Sequence, residues 1–252
     1  MSSKSNYELT WKDIHEGLKN LGIRRGDTIL VRSSLSSLGY VRGGAKAVIK
    51  ALLKAVGEGG NIMVPTLTGT IKDCPENPPI FTIDKPCWTG AIPETLRKLS
   101  GSIRSLHPTH SVAVIGADAE YLTKEHERCE TPCGVNSPYL KLAKKKGKIL
   151  FLGVSLASNT MFHTVEELAR VRYHLQPEPV IAQIVKGDSV VKVKTRLHAY
   201  GTPRAFREME TILEREGILS RTKIGRASVI LIDAEEMIDY TLKLLKKDEL
   251  AL

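Results

Sequence analysis

The chain has 252 residues, of which 42% are apolar, and its formal net charge is +9. This length supports one large or two small hydrophobic cores, and no run of about 18 apolar residues marks a membrane span. The first 20 residues carry Lys, Glu and Asp and lack the apolar run of a secretory signal. These features predict a globular protein of the cytoplasm with no membrane partner.

The cysteines and the basic residues argue against two further classes of protein. Cys74, Cys87, Cys129 and Cys133 have irregular spacing. Because this spacing matches neither a disulfide framework nor the paired pattern of a zinc tetrahedron, we expect free thiols and no metal. The densest basic run, residues 141–148, contains no aromatic side chain. It is typical of a solvated helix end, so no nucleic-acid partner is expected.

The first quarter of the chain predicts alternating helices and strands. Apolar side chains at helical spacing over residues 7–21, with Thr10 as cap and Gly22 as stop, predict the first helix. Further elements follow in the order strand 28–32, polar loop 33–44, helix 45–56 and strand 61–65. The two strands lie within about forty residues of each other, the size of a crossover unit, so we expect them to pair in parallel.

The middle of the chain begins with a segment that lacks periodicity. Residues 66–89 contain four prolines, which predicts a long ordered loop over one edge of the sheet that serves a site. Beyond it, apolar spacing predicts helices over 91–99, 119–127, 139–146 and 160–172 and strands over 111–115 and 148–154.

The C-terminal third predicts a hairpin. Val and Lys alternate around the turn Lys186-Gly187-Asp188 within residues 180–198, a pattern typical of two antiparallel strands, which we expect to extend the main sheet. A helix over 204–216, a strand over 227–232 and a helix over 234–245 complete an α/β protein with a mixed sheet.

His163 and Glu166 are the first candidates for chemistry. They lie three residues apart on a predicted helix, where side chains share a face and can touch. A carboxylate beside an imidazole fixes its tautomer and raises its basicity, as a general base requires. A surface contact is the ordinary interpretation of such a pair. The position of this helix directly after a buried strand, where open sheets form ligand sites, favours function.

A turn of small residues follows the first strand. Residues 33–39 read Ser-Ser-Leu-Ser-Ser-Leu-Gly, and Gly43 and Gly44 precede the next helix. Small residues let backbone amides approach an anion, and a helix N-terminus favours negative charge. The turn lacks the endings of a Walker loop and of a dinucleotide fingerprint. It predicts an anion-tolerant turn, with an ordinary loop as the alternative.

A third segment, residues 104–111, is rich in hydrogen-bond donors. It reads Arg-Ser-Leu-His-Pro-Thr-His-Ser and precedes a strand. His107 and His110 lie three residues apart, but Pro108 separates them and no acidic or thiol ligand is near in sequence. Substrate or cofactor contacts are favoured over metal, and a structural role for either histidine stays open.

Together and in this order, these elements resemble the aminoglycoside 3-N-acetyltransferases. The resemblance covers about residues 10 to 170 closely and the rest more loosely. The matching residues are Val31, Ser33-Ser34-Leu35, Leu38-Gly39, Gly43-Gly44-Ala45, Val64-Pro65-Thr66, Thr89-Gly90-Ala91-Ile92-Pro93-Glu94, Arg104-Ser105, His107-Pro108-Thr109-His110-Ser111-Val112, Ser137-Pro138, Leu152-Gly153-Val154, Asn159-Thr160, His163 and Glu166.

The resemblance implies a single three-layer α/β/α domain over residues 1–252 that transfers acetyl from acetyl-CoA directly to an amine. His163 then corresponds to the catalytic histidine, and Glu166 orients it. Contacts to the cosubstrate are expected from Ser33, Ser34, Leu35, Ser36, Ser37, Leu38, Gly39, Arg104, His107 and Ser111. Contacts to the acceptor are expected from Thr66, Asp73, His110 and Asn159.

Two departures leave the acceptor open. Family members commonly have His-Ser-Ser-Leu-Arg after the first strand, whereas Arg32 and Ser36 replace the His and the Arg here. Aminoglycosides are polycations whose sites are usually acidic, and this chain is strongly basic. An amine of an aminoglycoside or related amino sugar is predicted, with a non-antibiotic amine metabolite as the alternative; an acidic pocket would favour the antibiotic.

Other classes of protein also stay open at this point. A CoA-binding or nucleotide-binding protein without turnover fits the same turn, and net charge alone supports a nucleic-acid binder. The sequence does not decide between a monomer and a homodimer.

Overall fold

The computed structural model describes residues 8–200 and 204–252. Its helices are α1 Trp11–Leu21, α2 Gly44–Val56, α3 Ala91–Leu96, α4 Ala119–Thr123, α5 Pro138–Lys144, α6 Thr160–Ala169, α7 Met209–Arg215 and α8 Ala234–Leu245. Its strands are β1 Thr28–Ser33, β2 Asn61–Pro65, β3 Ile80–Thr82, β4 Ile103–Arg104, β5 Val112–Gly116, β6 Lys148–Leu152, β7 Val180–Lys186, β8 Ser189–Thr195, β9 Leu219–Ile224 and β10 Ala227–Asp233.

A seven-stranded mixed sheet forms the centre of the molecule. Its strand order is β4-β5-β2-β1-β6-β10-β9. The central strand β1 pairs in parallel with both β2 and β6, and all outer pairings are antiparallel. The predicted parallel pairing of the first two strands through α2 is confirmed.

Helices cover both faces of this sheet. Successive side chains of a strand point to opposite faces of the sheet. In β1, Leu30 belongs to the core formed with α4, α5, α6, α7 and α8. Ile29 and Val31 belong to the core on the other face, formed with α1, α2 and α3. Strands buried on both faces read as continuous apolar runs, as β6 does. The α/β/α architecture is confirmed. No helix in the described part of the chain is long and apolar enough to cross a membrane.

Capping residues set the ends of the helices. Thr10 and Asp13 form a capping box at α1, and Gly22 ends that helix in the left-handed conformation with φ of 107°. Asn159 caps α6 by accepting a hydrogen bond from the Met161 backbone N–H at 3.0 Å. The predicted cap and stop of α1 are confirmed; residue 7, the predicted start, lies outside the described residues.

The predicted hairpin exists, but its place in the fold was predicted wrongly. β7 and β8 pair antiparallel around residues 186–189, and β7 pairs in parallel with β3 to form a separate three-stranded sheet. The strand β8 is exposed over most of its length, so one face of the hairpin is in contact with solvent. Because both faces of the main sheet are covered by helices, the hairpin does not fit into it. β9 and β10 extend the main sheet instead.

Several element boundaries also differ from the prediction. The loop over 66–89 contains β3, and two edge strands, β4 and β9, were missed. β9 buries only its first and last residues, Leu219 and Ile224, so it has no apolar alternation to detect. The helices predicted over 119–127 and 204–216 are shorter, α4 and α7, because a separate 3₁₀ turn follows α4 and residues 204–208 precede α7.

Candidate active site

Three parallel strands end at one edge of the main sheet, where the candidate site lies. β1 ends at Ser33, β2 at Pro65 and β6 at Leu152. Ligand sites of open α/β sheets form at this edge because the loops that leave the strands diverge there. After β6 the chain makes the 3₁₀ turn Leu156–Ser158 and enters α6, near whose start His163 lies.

His163 and Glu166 form the pair that their spacing predicts. Nδ1 of His163 lies 2.7 Å from Oε2 of Glu166. An ionised carboxylate only accepts hydrogen bonds, so Nδ1 carries the proton and Nε2 keeps its lone pair. Glu166 is fully buried, whereas 22% of the His163 side chain is exposed. The imidazole is therefore held in one tautomer with a basic nitrogen left free.

Groups distant in sequence share the glutamates of this helix. Nδ1 of His174 lies 2.9 Å from Oε2 of Glu166, and Nε of Arg204 donates to Oε1 at 2.9 Å. Oε1 of Glu167 lies 3.4 Å from Nε2 of His174 and 3.2 Å from Nε2 of His198. Two carboxylates and three basic side chains thus form a buried ionic cluster behind the free imidazole.

The cluster gives its two central histidines different protonation states. Burial disfavours the charge of Glu166, but hydrogen bonds from His163 and His174 outweigh burial and lower the Glu166 pKa. Burial lowers the pKa of His163 despite its bond to Glu166. At His174, hydrogen bonds to Glu166 and Glu167 outweigh burial and raise the pKa. His163 is thus kept neutral, as a base must be, and His174 favours its charged form.

Three adjoining cavities lie along this edge. The histidine cavity, of about 350 Å³, contains His163 and is lined mainly by Arg32, Leu67, Trp88, His110, Asn159, His198, Tyr200 and Phe206. The turn cavity, of about 570 Å³, lies at the N-terminus of α2 and is lined mainly by Ser33, Ser34, Leu35, Ser36, Gly39, Tyr40 and Gly90.

A smaller cavity, the junction, of about 170 Å³, lies between these two. It shares Ser33 with the turn cavity and Arg32, Trp88 and Ser158 with the histidine cavity. These shared residues line a path along the end of β1 from the turn toward His163. Such a route suits a long cosubstrate whose reactive end meets a base.

Comparison with known proteins decides the family. The model of the aminoglycoside 3-N-acetyltransferase family matches residues 30–246. The chain belongs to this family. It is an acyltransferase, and acetyl-CoA is the cosubstrate of its reaction.

Relatives and solved structures agree over most of the chain. It is 31% identical to a prophage-derived aminoglycoside N(3')-acetyltransferase-like protein of Bacillus subtilis, over 95% of this chain and 93% of the relative. It is 30% identical to aminoglycoside N(3)-acetyltransferase VII of Streptomyces paromomycinus, over 94% of this chain and 91% of that relative. AAC-IIIb in a binary complex with CoASH superimposes with a TM-score of 0.82, 25% identity and coverage of 96% and 97%. AAC-VIa bound to sisomicin superimposes with a TM-score of 0.83 and 26% identity, over 96% of this chain and 98% of AAC-VIa.

Most of the cosubstrate residues predicted in the turn line the turn cavity of this acyltransferase. Ser33, Ser34, Leu35, Ser36 and Gly39 do so. The other two have internal roles. Ser37 donates to Oγ of Ser34 at 2.8 Å, and the side chain of Leu38 is buried in the core below α1 and α2. They shape the turn from within.

The donor-rich segment 104–111 is placed inside the acyltransferase rather than on its cavities. Arg104 donates to the carbonyls of Thr66, Ile83 and Lys85 at 2.6–2.9 Å. Its Nε also donates to Oγ of Ser111 at 3.1 Å. These bonds tie the loop 83–85 to the end of β2. Arg104 and Ser111 therefore support the carboxyl edge and line none of the three cavities.

His107 is likewise internal. It is buried, its Nδ1 accepts from the backbone N–H of Thr109 and of His110 at 3.2 and 3.0 Å, and its ring lies 4.5 Å from that of His126. The structural role that the sequence left open for this histidine is the one its contacts support.

The four predicted acceptor residues divide equally. His110 and Asn159 line the histidine cavity. Thr66 lies behind it, with Oγ1 2.9 Å from Oγ of Ser111. Asp73 is not part of the lining. Partial burial raises the pKa of Tyr200, which does line the cavity, and the charge of Asp73 adds to this shift.

Nitrogen atoms of three histidines lie close enough together to ligate a metal. Atoms of His163, His174 and His198 lie within 4.8 Å of one another. Each of the three is hydrogen-bonded to Glu166 or Glu167. In the described residues, the carboxylates of Glu166 and Glu167 accept hydrogen bonds from ring nitrogens of these histidines.

A larger cavity, of about 850 Å³, lies on the far side of the two glutamates. It is lined by Glu166, Glu167 and His174 together with several arginines, but not by His163. Volume alone would place the site there. The smaller histidine cavity is the better candidate because His163, the candidate base, lines it.

The cysteines take no part in the donor route. Cys129 and Cys133 are free and buried. Burial raises the pKa of both thiols, that of Cys129 to about 12. The backbone N–H of Cys133 donates to Glu167 at 3.0 Å, and its Sγ lies within 4.8 Å of a ring nitrogen of His198. The free thiols predicted for both are observed.

Proposed function

We propose that the chain transfers the acetyl group of acetyl-CoA to an amine of an aminoglycoside or related amino sugar, by direct attack within a ternary complex. One observation carries this proposal: His163, held by Glu166, lines a cavity that is linked to the anion-tolerant turn by the junction, which shares lining residues with both. The relatives named above have this activity in their names, and AAC-IIIb binds CoASH.

The turn supports the donor end of the reaction. The small side chains of residues 33–36 and the N-terminus of α2 suit the phosphates of coenzyme A, because a helix N-terminus favours negative charge. The pantetheine arm then runs along Ser33 and through the junction, and its thioester emerges beside Arg32, Trp88 and Ser158. The acceptor occupies the histidine cavity.

The chemistry requires a neutral amine and a base. As the amine nitrogen forms its bond to the thioester carbonyl carbon, Nε2 of His163 takes the amine proton, and Glu166 stabilises the resulting imidazolium. Collapse of the tetrahedral intermediate breaks the C–S bond and releases the coenzyme A thiolate. His163 can return its proton to that thiolate, which leaves the enzyme unchanged. No residue of the chain needs to carry the acetyl group.

A second acceptor class is favoured by the lining of the histidine cavity. An acidic pocket would suit a polycationic antibiotic, yet no carboxylate lines this cavity among the described residues. A non-antibiotic amine with fewer positive charges is therefore the second candidate acceptor. The free thiols and the use of acetyl-CoA support a cytoplasmic location; a homodimer remains a prediction.

Release of coenzyme A thiol from acetyl-CoA tests the function. We expect release by the purified protein to require an amine and to fall by about 10²–10⁴-fold in His163→Ala, the usual contribution of a general base. Binding of acetyl-CoA should be retained in that variant. Acetyl-CoA binding without turnover on any aminoglycoside or amino sugar would support a binding protein, and absence of binding would refute the assignment of the turn.

A further inference from the structure

Three side chains from distant parts of the chain form a second cluster, the thiol cluster, beside the histidine cavity. A ring nitrogen of His110, Sγ of Cys133 and a ring nitrogen of His198 all lie within 4.8 Å of one another, and all three residues are buried. The two rings are in contact, with centroids 4.2 Å apart. One thiol and two imidazoles are a donor set typical of Zn²⁺, whereas Mg²⁺ and Ca²⁺ prefer oxygen ligands.

Glu167 supports two of these ligands. Its carboxylate accepts hydrogen bonds from Nε2 of His198 at 3.2 Å and from the backbone N–H of Cys133 at 3.0 Å. Nε2 of His198 therefore carries the proton, and Nδ1 keeps its lone pair. Histidines that bind metals commonly have this arrangement, in which the other ring nitrogen donates to a carboxylate. At His110 the corresponding partner is Oγ1 of Thr109, which lies 2.9 Å from Nδ1.

The group of three histidines described above is less suited to a metal. It shares His198 but needs His174, whose ring nitrogens are both bonded to carboxylates, Nδ1 to Glu166 at 2.9 Å and Nε2 to Glu167 at 3.4 Å. A metal bound there would have to displace one of these bonds, whereas the thiol cluster leaves both in place. Cys133 also supplies a soft thiolate ligand, which selects zinc over harder cations.

An ion can reach the thiol cluster from the histidine cavity. His110 and His198 both line that cavity, and Cys133 is fully buried. Zinc bonds of about 2.0–2.3 Å place tetrahedral ligands about 3.3–3.8 Å apart, so side-chain movements of about 1–1.5 Å close the site. Binding replaces the S–H bond of Cys133 with a bond from sulfur to zinc and releases the thiol proton to solvent.

We propose that His110, Cys133 and His198 form a binding site for Zn²⁺ that inhibits the transferase. The reaction itself uses no metal. Inhibition rests on the proposed function, whereas binding does not. The ring of His198 lies 4.5 Å from that of His163, so an ion held by His198 brings positive charge next to the base. The acceptor amine has to enter the same cavity. Zn²⁺ should therefore compete with a cationic acceptor and not with acetyl-CoA.

Cobalt provides a binding assay that needs no turnover. Co²⁺ occupies tetrahedral zinc sites, and its bond to a thiolate absorbs in the near ultraviolet. The wild type should bind one equivalent of Co²⁺ with this absorption, and Zn²⁺ should abolish it. Cys133→Ser should lack the absorption and bind Zn²⁺ at least tenfold more weakly, since even the loss of an outer-shell partner costs about 10–100-fold in metal affinity. Cys129→Ser, which changes another buried free thiol, is the matched control and should behave as the wild type.

Thiol release measures the inhibition, with free Zn²⁺ held constant by a metal buffer because coenzyme A also binds zinc. In the wild type and in Cys129→Ser, Zn²⁺ should raise KM for the amine and leave kcat unchanged. Cys133→Ser should need at least tenfold more Zn²⁺ for the same effect. Without metal the three proteins should be equally active, because neither thiol lies on the donor route.

Three results would overturn the proposal. Absence of the cobalt absorption in the wild type would mean that no thiolate binds the metal, whatever the stability of the variants. Absorption that persists in Cys133→Ser would assign the bond to another cysteine. Equal inhibition of the wild type and Cys133→Ser by Zn²⁺ would place the ion on the three histidines. Failure of thiol release with every amine in the absence of metal, while Co²⁺ still binds, would instead refute the proposed function.

Discussion

Protonation of a buried histidine should make the stability of this fold depend on pH. His126 is fully buried, and its ring is bonded on both sides: Nε2 donates to the Pro132 carbonyl at 2.9 Å, and Nδ1 accepts from Oγ of Ser105 at 2.8 Å. Burial lowers its pKa from 6.5 to about 4, although the bond to Pro132 opposes this shift. The native state therefore holds His126 in its neutral form.

The sign and the size of the effect follow from this shift. Between pH 6.5 and pH 4 the unfolded chain binds a proton at His126 that the folded chain does not, so stability falls as pH falls. The free energy of unfolding that depends on neutral His126 is fully present above pH 6.5. Each unit of pKa difference corresponds to about 1.4 kcal/mol, so His126 alone should remove about 3 kcal/mol of the free energy of unfolding by pH 4. This is a large share of the 5–15 kcal/mol typical of a domain, taken as an order of magnitude.

Urea unfolding of His126→Gln at pH 7 and at pH 4 isolates the effect. Glutamine can still accept from Ser105 and donate to Pro132 but does not titrate. The variant should be less stable at pH 7, and its loss between the two pH values should be about 3 kcal/mol smaller than in the wild type. Tyr139→Phe, which removes the buried hydroxyl bonded to the His110 carbonyl at 3.2 Å, is the control and should follow the wild-type pH dependence. An equal loss in His126→Gln and the wild type would refute the reasoning.

Three further predictions concern the active site. Glu166→Gln should lower kcat for thiol release by about 10²–10⁴-fold, because the amide no longer fixes the tautomer of His163; acetyl-CoA binding measured by calorimetry should be retained. The acidic limb of the kcat/KM profile should have an inflection below pH 6.5, since burial lowers the His163 pKa; an inflection above 7 would contradict this. Gly153→Ala should raise KM for acetyl-CoA, because at φ of 74° an added Cβ would lie 2.6 Å from Cβ of Ser37 in the turn; an unchanged KM would separate Gly153 from the donor site.

Local patterns predicted the parts of the fold that local physics controls. Thr10 and Gly22 bound α1 because a side-chain hydroxyl and a left-handed glycine satisfy the ends of the helix on their own. The unit β1-α2-β2 followed from apolar spacing and loop length. The place of the hairpin did not, because alternation over residues 180–198 indicates one buried face but not the surface that buries it.

The same division holds for the site. The pairing of His163 with Glu166 was predictable because helical geometry brings residues three apart together. Arg32 was visible only as a departure from the family pattern, and no spacing indicates that its buried Nη1 lacks a hydrogen-bond partner. The lining residues Trp88, Tyr200 and Phe206 come from separate loops whose meeting depends on the fold as a whole.

The protonation state of the base is itself a non-local property. One carboxylate at Glu166, with one partner, would pull a proton onto His163 and compromise it as a base. Here Arg204 and His174 also bind that carboxylate. His174 favours the protonated form because its second ring nitrogen, Nε2, is hydrogen-bonded to Glu167. His163 is left neutral, oriented and next to a cavity whose fixed charge is that of Arg32. Removing His174 should therefore affect the pKa of the base as well as its position, and a helix sequence alone holds no information about either.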